Sequence, residues 1–319
     1  MAGMKTKEMR RYGSQTFAVS NLDKVLFPDD GITKGRILEY YEAACSWMLP
    51  HLEDRPLVLQ RFPDGIGKFG FYQKQTGGHF PDWIETVRVR KEGGEQDLVV
   101  CNDKATLLYL ANQAALTLHP WLSRTRSIDQ PDMLVVDLDP PSGKFEQARS
   151  AARLCKKIFD DLEVPVFLKT TGSKGLHLVV PLKGKESFET VRAFAADMMA
   201  LLAQRCPDDL TIEHRKANRR GRLYLDIARN AYAQTAVCAY SVRALPGAPV
   251  SAPIEWDELK RRSLHSGSYT IDNVLEHVER HDPWAELRRQ RCSASTMHRR
   301  LETMRERPAK TARTRRPSS

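Results

Sequence analysis

The 319 residues are 41% hydrophobic and 28% charged, enough apolar sequence for one large core or two ordinary ones and too much for an unfolded chain. The formal charge is +10, but residues 288–319 hold 11 Lys or Arg against two acids and the remainder carries 39 basic and 38 acidic groups, so the basicity belongs to the C-terminal segment rather than to the whole surface. Six scattered cysteines without a Cys-x-x-Cys pair exclude a zinc ribbon and a disulfide framework, and no run approaches the ~20 apolar residues of a membrane span, which together predict a cytoplasmic protein.

A basic N-terminal extension, 1–14, is expected to lead into a short strand at 17–20 and a turn at 28–31. Thr33 reads as the N-cap of an amphipathic helix that places Ile37, Tyr40, Tyr41, Ala44 and Met48 on one face and is closed by Pro50. Strand-like runs follow at 57–62, 69–74, 85–90 and 97–101, with Gly-containing turns at 64–67 and 93–94. A helix over 104–118 then ends before His119.

The second half alternates more regularly: strand 133–138, helix 145–162, strands 165–169 and 176–181, helix 187–205, and strands 222–227 and 235–241. A Pro-rich connector at 245–253 precedes helical segments near 255–262 and 271–289, and 288–319 is expected to be a solvated, disordered basic tail. Strands flanked by helices of this length predict an α/β sandwich with one sheet face covered, leaving the other for chemistry.

That face has a marked end. Residues 133–139 read Met-Leu-Val-Val-Asp-Leu-Asp, and the two-residue period of a strand points Asp137 and Asp139 the same way. Two carboxylates so placed share a proton, bind hard divalent cations, or simply end a strand in solvent. Asp226, closing Leu-Tyr-Leu-Asp, is the natural third acid, and three carboxylates from two strands suit two Mg²⁺ or Mn²⁺ ions and displacement at phosphorus. Arg219, Arg220 and Arg222 lie just before it, Arg229 and Arg243 beyond it, a density that favours an anionic ligand. Between two strands, 169–177 reads Lys-Thr-Thr-Gly-Ser-Lys-Gly-Leu-His, with glycines that permit close backbone approach and Thr171, Ser173 and Lys174 as phosphate donors. It is not a Walker loop.

Asp-Leu-Asp at 137–139, Thr-Gly-Ser-Lys-Gly-Leu-His at 171–177, Leu-Asp at 225–226, Leu-Asp-Lys-Val-Leu-Phe-Pro at 22–28 and Leu-His-Pro-Trp at 118–121 resemble the polymerase domain of bacterial ligase D, of the archaeo-eukaryotic primase superfamily. The likeness runs from about 15 to 285. It implies a primase fold of mixed and antiparallel sheets flanked by helices: a DNA-end-binding half at 15–125, an RRM-like, palm-like catalytic half at 130–245 and capping helices at 246–287. It implies a polymerase of nonhomologous end joining that favours ribonucleotides, uses two Mn²⁺ or Mg²⁺ ions on Asp137, Asp139 and Asp226, and sits with the bacterial nucleoid. By the same matching, Thr171, Ser173, Lys174, His177, Arg229 and Arg243 hold the NTP or dNTP and His119 lies by the ribose. Lys24 and Lys34 take the 5′-phosphate of a DNA end or gap, while Phe71, Tyr72, Lys74 and Arg219 meet the template, and the hairpin at 91–96 is a synapsis element. Ku and a separate DNA ligase are the implied partners, because no Lys-x-Asp-Gly adenylation motif is present and nick sealing is not expected of this chain.

Two other readings use the same residues. A noncatalytic DNA-end-bridging module would keep the acids as structure. A haloacid-dehalogenase-type phosphatase also ends a strand in Asp-x-Asp, but it wants Thr or Val where this chain has Pro141.

Overall fold

A computed structural model describes residues 7–78, 80–141 and 144–306. The first half contains β1 (Lys7–Tyr12), β2 (Gln15–Ser20), β3 (Val25–Phe27), β4 (Ile32–Thr33), α1 (Lys34–Leu52), β5 (Leu57–Arg61), β6 (Phe71–Gln73), β7 (Thr86–Lys91), β8 (Gly94–Val99), α2 (Lys104–Asn112) and β9 (Ala115–Pro120). The second half contains β10 (Met133–Asp139), α3 (Phe145–Asp161), β11 (Phe167–Thr170), β12 (Leu176–Pro181), α4 (Phe188–Arg205), β13 (Leu210–Thr211), β14 (Leu223–Asp226), β15 (Pro253–Ile254), α5 (Val274–Arg280) and α6 (Ala294–Glu306).

The second half is built on a six-stranded sheet, β13-β14-β10-β12-β11-β15, antiparallel except for β13 with β14. Both α3 and α4 pack on it. Leu134, Val135, Val136, Asp137 and Leu138 are all buried, so β10 is covered on both faces rather than on the one expected, and only Asp139 at its end is exposed. In the first half a three-stranded sheet, β6-β5-β9, lies with α1 and α2. Thr33 caps α1 by accepting from the Arg36 amide, and Ile37, Tyr40, Tyr41, Ala44 and Met48 are all buried. Pro50 does not close this helix, which runs two residues further to Leu52.

One core cluster spans both halves. Segment 236–243 joins them: Tyr40 donates to the Tyr240 carbonyl at 2.7 Å, the Leu118 amide to Ser241 Oγ at 2.9 Å, and Thr117 Oγ1 to the Val242 carbonyl at 2.7 Å. A strand was expected at 235–241. Instead Tyr240 takes a left-handed φ of 64° and side-chain hydroxyls satisfy backbone groups that a ladder would have used. Buried Arg55 also spans the join through Asp132 at 2.6 Å, and Arg124 reaches the same carboxylate at 2.7 Å. Asp132→Ala should therefore lower stability by about 3–5 kcal/mol, since it strands a buried guanidinium. Urea unfolding checks this, and a loss below 1 kcal/mol would contradict it.

Three further expectations change. The helix expected over 104–118 stops at Asn112, because Ala114 is left-handed (φ 56°) and 115–120 pairs with β5 instead. Both stretches are largely apolar and buried, so periodicity could not separate buried helix from buried strand. Residues 7–12 of the supposed extension form β1, paired with β2. The supposed tail contains α6, whose Met297 and Leu301 are buried against α4 and whose first amides, of Ala294 and Ser295, donate to the Glu186 carboxylate. The rest of the tail, 307–319, lies outside the described residues.

Candidate active site

The register of the six-stranded sheet draws the chemistry into a line. Asp137 stands opposite Asp226 on one side and His177 on the other, and His177 stands opposite Lys169. Directly opposed residues project to the same face, so four ionisable side chains from four strands form one transverse row, with Asp139 one step along.

Asp137 and His177 are buried. Burial alone would raise Asp137, but His177 and Arg229 outweigh it and hold the carboxyl well below the usual carboxylate range. Arg229 Nε lies 3.1 Å from Asp137 Oδ2. His177 Nε2 is 3.4 Å from Oδ1 without hydrogen-bond geometry, which leaves that oxygen and His177 Nδ1 unpaired. Burial, with Arg243 and Arg229 nearby, pulls His119 down to about 3, and burial pulls His177 to about 4. Both imidazoles are neutral at pH 7. His119 Nε2 is likewise buried and unpaired, and its ring lies 5.8 Å from that of Tyr72.

Asp139 behaves oppositely. Although its side chain reaches the surface, the protein packed around it and the Asp137 charge raise it to about 6. A carboxyl raised on folding lends stability below its unfolded value and withdraws it as pH rises through about 6 in the ion-free protein. A divalent cation such as Mn²⁺ held by this carboxyl would have to displace that proton, so its apparent affinity should climb up to tenfold per pH unit below 6 and flatten above 7. Calorimetric titration at pH 5.5 and 7.5 checks it, and equal affinities would contradict it.

Loop 171–175 is organised from within. Buried Thr171 accepts from the amides of Ser173, Lys174 and Gly175 at 3.4, 3.2 and 3.1 Å, so this hydroxyl and these donors serve the loop itself. Ser173 is half-buried and Lys174 exposed. Arg243 braces the loop by donating to the Thr171 carbonyl at 2.6 Å, and Ser266 Oγ donates to that of Ser173 at 2.7 Å. Gly172 is required by its φ of 66° and by a Cβ position 2.7 Å from Arg243 Cγ.

The arginines divide. Arg229 and Arg243 face the carboxylates, whereas Arg219 lies 4.0 Å over the Tyr224 ring and donates to the Glu213 and His214 carbonyls. Arg222 likewise holds the carbonyls of Arg219, Asn218 and Pro207. Phe71 and Tyr72 on β6 are 36% and 58% exposed, with Lys74 exposed beside them, so neither ring belongs to the core. Lys34 opens α1 and is buried, its ammonium on the Ser20 carbonyl at 2.5 Å, and burial with the Lys24 charge lowers it to about 8. The Lys34 amide donates to the Lys24 carbonyl at 2.8 Å, which sets the two lysines side by side. Hairpin 91–96 is the β7–β8 turn.

Lys169 was not anticipated as part of this row. It is buried, bonded to the Val237 carbonyl at 2.7 Å and Ser251 Oγ at 2.6 Å, and burial lowers it to about 7. Only the register with His177 reveals it. Asp226 Oδ1 accepts from the Ala228 amide, and among the described residues no three His, Cys, Asp or Glu side chains are drawn together to enclose a metal ion. The described cysteines are all free, and no described helix is long and apolar enough to cross a membrane.

An antiparallel sheet with paired acids at one end, backed by two helices and faced by a second α/β half, defines a domain of the nucleotidyltransferase class, of the primase-polymerase kind. Residues 33–284 match the model of the LigD primase-polymerase domain, and the chain belongs to that family. The multifunctional non-homologous end joining protein LigD of Mycolicibacterium smegmatis is 32% identical over 274 residues, 85% of this chain and 35% of that protein. The bifunctional LigD of Bacillus subtilis is 32% identical over 82% of this chain and 42% of its own length. The chain thus spans about two fifths or less of these relatives. The polymerase domain from Mycobacterium tuberculosis ligase D, solved in complex with DNA, matches with a TM-score of 0.80 at 30% identity, covering 85% of this chain and 96% of that one.

Proposed function

We propose that this chain extends a 3′-hydroxyl at a DNA gap or break bearing a 5′-phosphate across the gap, using NTPs in preference to dNTPs, in nonhomologous end joining. The observation that carries the reading is the transverse row Asp226, Asp137, His177 with Asp139 at its edge. Family membership and relatives named for end joining support it. A separate ligase and Ku are the partners this role calls for.

The residues fit a pair of hard cations. Asp137 Oδ1 is buried without a partner, and Asp139 is raised by its enclosure and by the Asp137 charge despite Lys174, Arg229 and Arg243, so the oxygens have room for further positive charge. Asp137, Asp139 and Asp226 would hold Mn²⁺ or Mg²⁺, which when bound lowers the pKa of the attacking hydroxyl and neutralises the triphosphate. Arg229 and Arg243 add fixed positive charge, and Ser173 with Lys174 offers the donors left over by the loop. Thr171 then acts on the nucleotide through the loop it shapes. Neutral His119, with an unused ring nitrogen, suits a hydrogen bond to a ribose hydroxyl. Phe71 and Tyr72 offer stacking surfaces worth about 1–3 kcal/mol per base, flanked by Lys74. Arg219 reaches the template only through the loop it holds.

Lys24 and Lys34 suit a terminal phosphate, which carries more charge than a diester. Gap filling compares ribo- and deoxynucleotides on 5′-phosphorylated and 5′-hydroxyl gaps. Wild type should prefer the ribonucleotide and the phosphorylated gap, and Lys24→Ala with Lys34→Ala should erase the second preference alone. A double mutant that still discriminates between the gaps would remove the lysines from this role.

A further inference from the structure

The ammonium of Lys24 is already occupied. Asp64 Oδ1 lies 2.6 Å from Lys24 Nζ, reaching it from the loop after β5. This placement is made by backbone: the Gly65 amide donates to the Phe62 carbonyl in a turn through Pro63 and Asp64, and the Ile66 amide donates to the Leu26 carbonyl at 2.8 Å. A Cβ on Gly65 would stand 3.0 Å from the Leu26 carbonyl oxygen, so the loop docks closely on the strand beside Lys24 whatever the Asp64 side chain does.

We propose that Asp64 is an internal competitor for the 5′-phosphate site, a carboxylate that a terminal phosphate must displace from Lys24. The inference rests on the reading of Lys24 given above. The pair is exposed, 36% at Lys24 and 73% at Asp64, and an exposed pair is weak enough to be exchanged. A dianion outcompetes a single carboxylate for the Lys24–Lys34 pair, whereas a 5′-hydroxyl has nothing to exchange and leaves the ion pair closed. The released carboxylate has a second ammonium to meet, because Lys68 is close enough to help hold Asp64 below its ordinary range, after Lys24 itself. Asp64 thereby sets how strongly charged a group must be to open the site, and it holds Lys24 neutralised when no end is bound.

The test is equilibrium binding of fluorescein-labelled gapped DNA, with and without the 5′-phosphate, to wild type, Asp64→Asn, Asp64→Glu, Lys24→Ala and the Lys24→Ala, Asp64→Asn double variant. Asp64→Asn should tighten the phosphorylated gap roughly two- to fivefold and leave the hydroxyl gap unchanged. Asp64→Glu should restore wild-type values, and in the Lys24→Ala background Asp64→Asn should do nothing. The salt dependence of the phosphorylated gap should steepen by up to about one in log–log slope, since no freed carboxylate takes up a cation to offset counterion release. Weaker or unchanged binding of the phosphorylated gap by Asp64→Asn, or equal tightening of both gaps, overturns the proposal. If instead wild type and Lys24→Ala bind both gaps alike, it is the reading of Lys24 that fails.

Discussion

Asp137→Ala is expected to reduce nucleotide incorporation by roughly 10³-fold or more, because it removes the carboxylate on which the row is centred and with it several kcal/mol of charge stabilisation at phosphorus. The position is special in three ways: it is buried, it faces both Asp226 and His177, and one of its oxygens has no partner. Deleting the side chain also leaves Arg229 and His177 without their acid, so some loss of stability accompanies the loss of chemistry. Asp137→Asn separates the two effects. It keeps the shape and the Arg229 hydrogen-bond acceptor, and it should be as inactive as the alanine variant while melting closer to wild type. Binding of a 5′-phosphorylated gap, for which Lys24 and Lys34 are proposed, should persist in both. Turnover within tenfold of wild type in either variant would dismiss Asp137 as a metal ligand.

Gly175→Ala should be nearly as damaging for a reason that involves no charge. A Cβ there would lie 1.9 Å from the Leu138 carbonyl oxygen and 3.0 Å from Pro140 Cδ, on the backbone between Asp137, Asp139 and the following turn. Either the loop carrying Ser173 and Lys174 or the end of β10 must move, and both moves displace the site. Overpacking of this kind costs about 1–3 kcal/mol in stability. Activity should fall about a hundredfold, because the displaced groups are the ones proposed to align nucleotide and acids. Gly78→Ala is the control: nothing lies within 4 Å of its Cβ position, and activity should not change. A fully active Gly175→Ala enzyme would mean that this approach of loop to strand is not needed.

Much of this is legible in the sequence alone, and for identifiable reasons. Alternation placed Asp137 and Asp139 on one face because β10 keeps the two-residue period of a strand, although the burial of both its faces was not legible, and the cap at Thr33 marked the start of α1 because its hydroxyl has a helical amide to satisfy. The polar loop at 171–177 stood out because its glycines have backbone work to do. What stayed hidden depends on pairing. Lys169 looked like the last residue of a strand until its register with His177 put it in the row. Arg219 and Arg222 looked like anion ligands by proximity in sequence, whereas their guanidinium groups are spent on carbonyls of their own loop. Thr171 read as a phosphate donor and turned out to be the acceptor that shapes the loop. Asp64 carried no signal at all, since nothing in the sequence joins it to Lys24, 40 residues earlier. The helix within the supposed tail was masked by its arginines, although Ala294, Met297 and Leu301 keep helical spacing.

The central claim is that Asp137, Asp139 and Asp226 make one polymerising centre. Extension of a primer by a labelled ribonucleotide across a one-nucleotide, 5′-phosphorylated gap in Mn²⁺ tests it most directly, run in parallel for wild type and for Asn substitutions at each acid. Addition of a nucleotide by wild type alone, with DNA binding retained in all three variants, is the predicted result. Incorporation by the variants at the wild-type rate, or none by the wild type in either Mn²⁺ or Mg²⁺, would contradict it.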